Sequence, residues 1–290
     1  MKKNLNTIIT DADGVARWEF GSVGEAVIDA LADYAQTDSS RELIRERFAI
    51  HTSGSGDRWA NYYTREKLLA AIANPPTELV DAVDQMRAEL TAELAPPATP
   101  RRRVRHGQEF GDELDSDRWL VRDLAPWDRN VREMQPKRTV TIGVNLTVSA
   151  GQRAEELLYR GAAAVALADI LTQRGVNVGI VAFWSISDMS RQCPKVVGRY
   201  VVKRPDMPLD LGSVTTALSE IAFARLVALY GLARHVPGRL HEGLGMCEDL
   251  PKQDRQGLDY FIEKSVTGRD AAANWLRRAM ASQESEVAHV

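Results

Sequence analysis

The feature that most constrains this chain is a strand, a helix and a second strand held within about 46 residues of its middle. From Thr139 the segment TVTIGVNLTV alternates strictly, with Val140, Ile142, Val144, Leu146 and Val148 on one phase and polar or small residues on the other. That period of two marks a strand. Residues 152–174 then carry Leu157, Leu158, Ala162, Val165, Leu167 and Leu171 at helical spacing and stop at Gly175, a residue suited to ending a helix. VNVGIVAFW follows as an unbroken apolar run of strand length, so the spacing predicts a βαβ unit with parallel strands. A further strand fits 195–203, a helix about 213–232, a strand 258–266 and a helix to about Ser282, with a frayed tail after it. Residues 139–290 therefore read as an α/β layer fold with a mainly parallel sheet.

Residues 1–95 read as a helical N-terminal extension. Ser22 and Glu25 have capping-box spacing and open a helix to about Tyr34; Thr64 caps a short helix that Pro75 and Pro76 stop, and Thr77 opens another to about Leu94. Residues 96–138 read as a linker and an irregular arm. PPATPRRRVR joins prolines that forbid helix to a run of arginines. The acidic segment Gly111 to Asn130 shows little periodicity, and Trp119, Leu120 and Trp127 are expected to pin it to a neighbouring surface.

In open α/β sheets ligands gather beyond the carboxyl ends of the strands, which draws attention to the loop Asn145-Leu146-Thr147-Val148-Ser149. With the βαβ unit and the phrase VNVGIVAFWS, this loop resembles the metal-ion-dependent adhesion site of von Willebrand factor A-like domains, which carries Asp-x-Ser-x-Ser at this place. Asn145 stands where the family has its aspartate and Thr147 where it has its first serine. The resemblance implies a Rossmann-type three-layer core, with Thr215 or Thr216 corresponding to the second-loop threonine and Asp210 offering a charge from elsewhere. Magnesium usually binds through one or two carboxylates plus waters, so the neutral Asn145 implies a degenerate site with no metal, or weak magnesium binding through Thr147, Ser149 and Asp210. From about Arg105 to Met280 the chain is also similar to phage, prophage and bacterial proteins that carry a domain of unknown function on this core. The similarity rests on GDELDSDRWL, PWDR, TVTIGVNLTVS, LYRGAAAVALADILTQRGVNVGI and VVKRPDMPLDLGSVTTALSEIAFARLVAL. It implies an adaptor that binds protein, with a MoxR-like AAA+ ATPase or a phage assembly component as partner.

Other signals compete. TIITDADGV resembles the first motif of haloacid dehalogenase-like phosphohydrolases, which would make Asp11 a nucleophile and Asp13 a general acid in magnesium-dependent chemistry; an Asp-Gly turn is the plainer reading. Arg101, Arg102, Arg103, Arg105 and His106 form a basic cluster able to contact nucleic-acid phosphates, or to pair as a solvated linker with the acidic arm downstream. His235, His241 and Cys247 do not follow a zinc-ligand pattern, and Cys193 reads as a strand-edge packing residue. Trp59, Tyr62 and Tyr63, with the arm tryptophans, read as anchors.

Composition narrows the function. With 37 basic against 40 acidic residues the net charge is −3, which gives no global drive toward nucleic acid or membrane. Two cysteines make no disulfide framework, the N-terminus lacks a signal-peptide core, and no segment reaches the roughly 20 apolar residues of a membrane helix, so a cytoplasmic protein is expected. The expectation is a non-catalytic protein-interaction or assembly module without a cofactor. Its partner contact is placed at Asn145, Thr147, Ser149 and the loop from Asp206 to Thr216.

Overall fold

The computed structural model describes residues 9–10, 15–31, 70, 74–75, 77–92, 103–131, 138–148, 154–187, 195–220, 223–224, 227–228 and 246–287. Its centre is the βαβ unit: β6 (Thr139–Asn145), α4 (Ala154–Gln173) and β7 (Asn177–Ser187). The two strands are parallel, with Thr139 opposite Asn177 and Asn145 opposite Phe183. On the other side of β6 lies β10 (Tyr260–Ile262), also parallel, and the Asp259 carboxylate extends the ladder by accepting from the Thr141 amide at 2.7 Å. Beyond β7 come β8 (Lys195–Lys203), antiparallel to β7, then β2 (Val15–Phe20), parallel to β8, and the short edge strand β1 (Ile9–Thr10). The order is β1-β2-β8-β7-β6-β10, with β9 (Met246–Cys247) beside the end of β7.

The strand β2 corrects the reading of the first 95 residues as a helical extension, because it sits inside the central sheet. Ala16, Trp18 and Phe20 are buried, alternating with Arg17 and Glu19. Trp18 of β2 and Trp184 of β7 both register with Gly198 on the strand between them, and their rings meet edge to face at 4.6 Å. A Cβ at Gly198 would run into the Trp184 ring. The missing side chain lets the indoles close over the strand, a contact worth about 1 kcal/mol beyond its area burial.

One face of the sheet carries the helices. α1 (Val23–Leu31) begins with the expected capping box: the Ser22 hydroxyl accepts from the Glu25 amide at 3.1 Å and the Glu25 carboxylate from the Gly21 amide at 2.7 Å. Such a cap stabilises by about 1 kcal/mol. α2 (Thr77–Ala92) packs on α4, with Arg87 bridging Asp84 of its own helix and Asp169 of α4. α4 itself is buried on every side from Gly161 to Ala168, because the sheet lies beneath it and α2, α5 (Leu211–Ser219) and α6 (Arg269–Val287) surround it. A helix apolar all round belongs in such a place.

Among the described residues the opposite face has no α-helix. Val15, Val181, Phe183 and Val197 are covered there by Leu250 and Leu258, from a segment with a single 3-10 turn at Lys252–Arg255, and by Phe261 of β10. The third layer expected from the sequence is thus an irregular chain held by Arg17–Asp254 at 2.7 Å and by Arg255 stacked over Phe261.

Three further expectations change. The helix expected over 213–232 is interrupted at Glu220, whose backbone is extended; of the residues beyond it, 223–224 and 227–228 are described, and they are helical. The final helix runs to Val287 where fraying was expected after Ser282. The irregular arm is a small antiparallel sheet in the order β3-β5-β4: β3 (Arg103–Gln108), β4 (Glu113–Leu114) and β5 (Trp127–Val131). Its one-turn helix α3 (Ser116–Leu120) is capped by Asp115, which accepts from the Asp117 and Arg118 amides. Trp119 and Leu120 are exposed, so neither pins the arm to a surface.

Candidate functional site

β6 is the strand at which the sheet reverses its direction of growth, since α4 carries the chain to β7 on one side while β10 arrives on the other. Such a switch point leaves a crevice beyond the carboxyl ends of the two strands, where open α/β sheets place their ligands. Here that crevice is filled by a side chain of the protein itself. Arg160, wholly buried on α4, donates from Nη1 to the Asn145 and Thr147 carbonyls at 3.0 and 2.9 Å, from Nη2 to the Lys264 carbonyl at 2.7 Å and from Nε to the Val266 carbonyl at 3.0 Å. One guanidinium therefore joins the loop after β6 to the loop after β10. All four of these bonds go to neutral carbonyls, and burial lowers the Arg160 pKa to about 10, opposed by Glu156 one turn earlier and by Cys247. The planar five-donor fork suits this task, because a lysine could not reach acceptors in so many fixed directions.

The side chains of the loop are engaged as well. Asn145 Oδ1 accepts from the Thr147 amide at 2.9 Å, closing a local Asx turn, and Thr147 Oγ1 accepts from the Ser185 amide of β7 at 2.9 Å. Leu146 continues the ladder by donating to the Phe183 carbonyl at 2.7 Å. Asn145 and Thr147 are both buried, which leaves neither side chain facing a partner. Ser149 lies outside the described residues.

The second set of expected residues sits elsewhere on the molecule. Asp210 precedes α5 and is exposed, its carboxylate accepting from the Ser213 hydroxyl. Thr215 and Thr216 are buried within α5, and among the described residues their hydroxyls have no partner; nor have Ser219 Oγ on the same helix, Ser185 Oγ, or Asn145 Nδ2. Ser219 lies against Gly161 of α4, where an added Cβ would collide with its hydroxyl. Asp206 and Met207 are exposed, so the start of the 206–216 loop is the part that faces outward.

Magnesium does not fit the described part of this loop. The Asn145 side-chain oxygen faces the Thr147 amide, the Thr147 hydroxyl faces the Ser185 amide, and the two nearest carbonyls face a guanidinium. A divalent cation there would lie beside a buried positive charge without a carboxylate to offset it. Among the described residues no three His, Cys, Asp or Glu side chains are grouped to hold a metal ion.

Outside the crevice a polar rim continues along the sheet edge. Glu248 accepts from the Ser187 hydroxyl at 2.7 Å and from Lys195 at 3.3 Å, while Lys264 donates to the Cys247 carbonyl and approaches Asp249. The Ser187 bond above all, with Lys195 and Lys264 after it, holds the Glu248 carboxyl below the usual glutamate range in spite of partial burial. On the far side of the sheet Lys203 is buried with its ammonium on the Val178 and Arg204 carbonyls.

Asp11, Asp13, Arg101, Arg102, Cys193, His235, His241, Trp59, Tyr62 and Tyr63 lie outside the described residues. The strands flanking Asp11 and Asp13, β1 and β2, are antiparallel neighbours at the sheet's rim. Arg103 and Arg105 are strand residues of β3, where a linker was expected, and His106 beside them bonds Asp128 at 2.7 Å.

Arg160 itself was missed by the sequence reading. Its signal is visible in LLYRGAAAVALADIL: Leu157, Arg160, Ala164, Leu167 and Leu171 follow one another by three or four residues, so the arginine lies on the buried stripe.

Residues 4–284 match the family defined as a domain of unknown function, DUF7192. The chain belongs to that family. No curated protein and no solved structure matches it. Among the described residues no helix is long and apolar enough to cross a membrane.

Proposed function

We propose that this DUF7192 chain is a non-catalytic protein-interaction or assembly module built on a von Willebrand A-like core, in which an arginine holds the loop that a metal ion holds in that family. The observation that carries this reading is the Arg160 guanidinium on four carbonyls of the two switch-point loops. The guanidinium takes up the loop carbonyls that would otherwise face a ligand, which favours the outer surfaces as the place of action. By its sequence resemblance the module serves as an adaptor in a phage or prophage-associated complex, with a MoxR-like AAA+ ATPase or an assembly component as partner.

Magnesium titrated calorimetrically into the full chain is expected to give no saturable heat, and Asn145→Asp is expected not to create any while Arg160 remains. A complex purified with the tagged chain from its host is expected to survive EDTA. A saturable magnesium site that Asn145→Ala removes, or a partner released by EDTA, would overturn the proposal, as would magnesium-dependent turnover of phosphate esters.

A further inference from the structure

Eight large apolar side chains stand exposed among the described residues, and six of them fall between residues 110 and 124: Phe110, Leu114, Trp119, Leu120, Val121 and Leu124. Leu124 is 93% exposed and Phe110 82%, so these are not half-covered edges of a core. Scattered single apolar residues are normal on a surface, but a concentration of this kind marks an interaction site.

The arm is nevertheless well built. Asp115 caps α3, the Asp115 amide donates to the Pro126 carbonyl at 2.8 Å, and the Asp112 amide to the Asp128 carbonyl at 2.8 Å. The Asp123 carboxylate accepts from the Ala125 amide, and Arg118 pairs with Asp115. Backbone and carboxylate bonds fix the shape, while the apolar side chains are left in water. A segment ordered mainly by backbone and carboxylate bonds presents those side chains ready-placed, which lowers the ordering cost of binding.

We infer that the arm at residues 107–128 is a docking surface for a basic, amphipathic segment of another protein. Charge decides the occupant. This stretch holds seven acidic side chains and two arginines, and Glu109, Asp112, Glu113, Asp117 and Asp123 are exposed among the apolar groups. A second copy docking through the same surface would set these carboxylates against one another, because a two-fold contact pairs a patch with itself. An anionic membrane would repel them too. A segment with leucine-like side chains on one face and lysine or arginine on the other meets both the apolar groups and the charge. Trp119, an exposed tryptophan in the middle of the stretch, is its natural anchor. The inference rests on the arm alone and stands apart from the fold and metal chemistry of the core.

The test uses the full chain and two fluorescently labelled 18-residue helical peptides with the same leucine face, one with lysine and the other with glutamate on its polar face. The lysine peptide is expected to bind and to weaken as salt rises. Trp119→Ser and Leu124→Ser are each expected to weaken it about tenfold. Circular dichroism checks that both variants keep their fold, and Ile28→Ser, at an exposed apolar residue outside the arm, serves as the control expected to bind normally. Failure of the lysine peptide to bind, equal binding of the glutamate peptide, or equal affinity of all variants would overturn the inference. So would a concentration-dependent dimer in sedimentation that Leu124→Ser abolishes, since the surface would then belong to a second copy.

Discussion

The carboxyl edge of the central sheet and the arm solve opposite problems with the same kinds of residue. At the sheet edge a charged side chain, an amide and a hydroxyl turn inward, and Arg160, Asn145 and Thr147 close a crevice from within. In the arm the carboxylates of Asp115 and Asp123 hold the backbone at the surface while Leu120 and Leu124 point into water. The comparison teaches that the location familiar as a ligand site in α/β folds is here a structural joint, and that most of the exposed large apolar side chains described lie instead in a segment of low periodicity.

The largest expected effect breaks the joint. Arg160→Met removes the donor from four carbonyls, three of them held in wholly buried bonds, and is expected to destabilise the fold by at least about 3 kcal/mol, read from urea denaturation. Arg160→Lys should recover little of this, because an ammonium lacks the fork geometry. A loss under 1 kcal/mol for Arg160→Met would show that the loops hold themselves.

Next in size is the helix contact behind the joint. Gly161→Ala places a methyl group against the Ser219 hydroxyl and should cost about 1–3 kcal/mol. Ser219→Ala removes a hydroxyl that has no partner among the described residues, so the double variant is expected to lose less than Gly161→Ala alone. Additive losses would mean that α4 and α5 do not meet as closely as described.

A smaller effect tests the rim. Glu248 is held below its ordinary pKa in the folded chain, so its contribution to stability is present above the unfolded glutamate value and is lost as pH falls through the depressed one. Glu248→Gln should therefore lower the melting temperature slightly near neutral pH, and the difference should vanish in acid. A difference that instead grows toward low pH would contradict the bonding to Ser187 and Lys195.

The smallest effect sharpens the contrast from the other side. Leu124→Ser in the arm is expected to change stability by no more than about 0.5 kcal/mol, as at other exposed sites, even though the same change should weaken peptide binding.

Much of the central fold could be read from periodicity. The alternation from Thr139 and the helical spacing up to Leu171 identified β6 and α4, and the strand over 195–203 matches β8 residue for residue. The arm could not be read in this way, because strands as short as Glu113–Leu114 carry no period and form only when chain closure brings β5 alongside. β2 had a readable signal, Ala16, Trp18 and Phe20 alternating with Arg17 and Glu19, but its place beside β8 depends on a partner far along the chain.

The candidate loop divides in the same manner. Sequence alone determined that Asn145 follows a core strand at the carboxyl edge of an α/β sheet and that it carries no charge, since both follow from local order and residue chemistry. Only the tertiary structure decided what stands in the crevice. Arg160 lies 15 positions beyond Asn145, and Lys264 and Val266 lie more than 100 positions beyond Arg160; the packing of α4 brings all of them to one point. Hydrogen-bond acceptors on the backbone are present at every residue, so no sequence pattern could have announced which four would share a guanidinium.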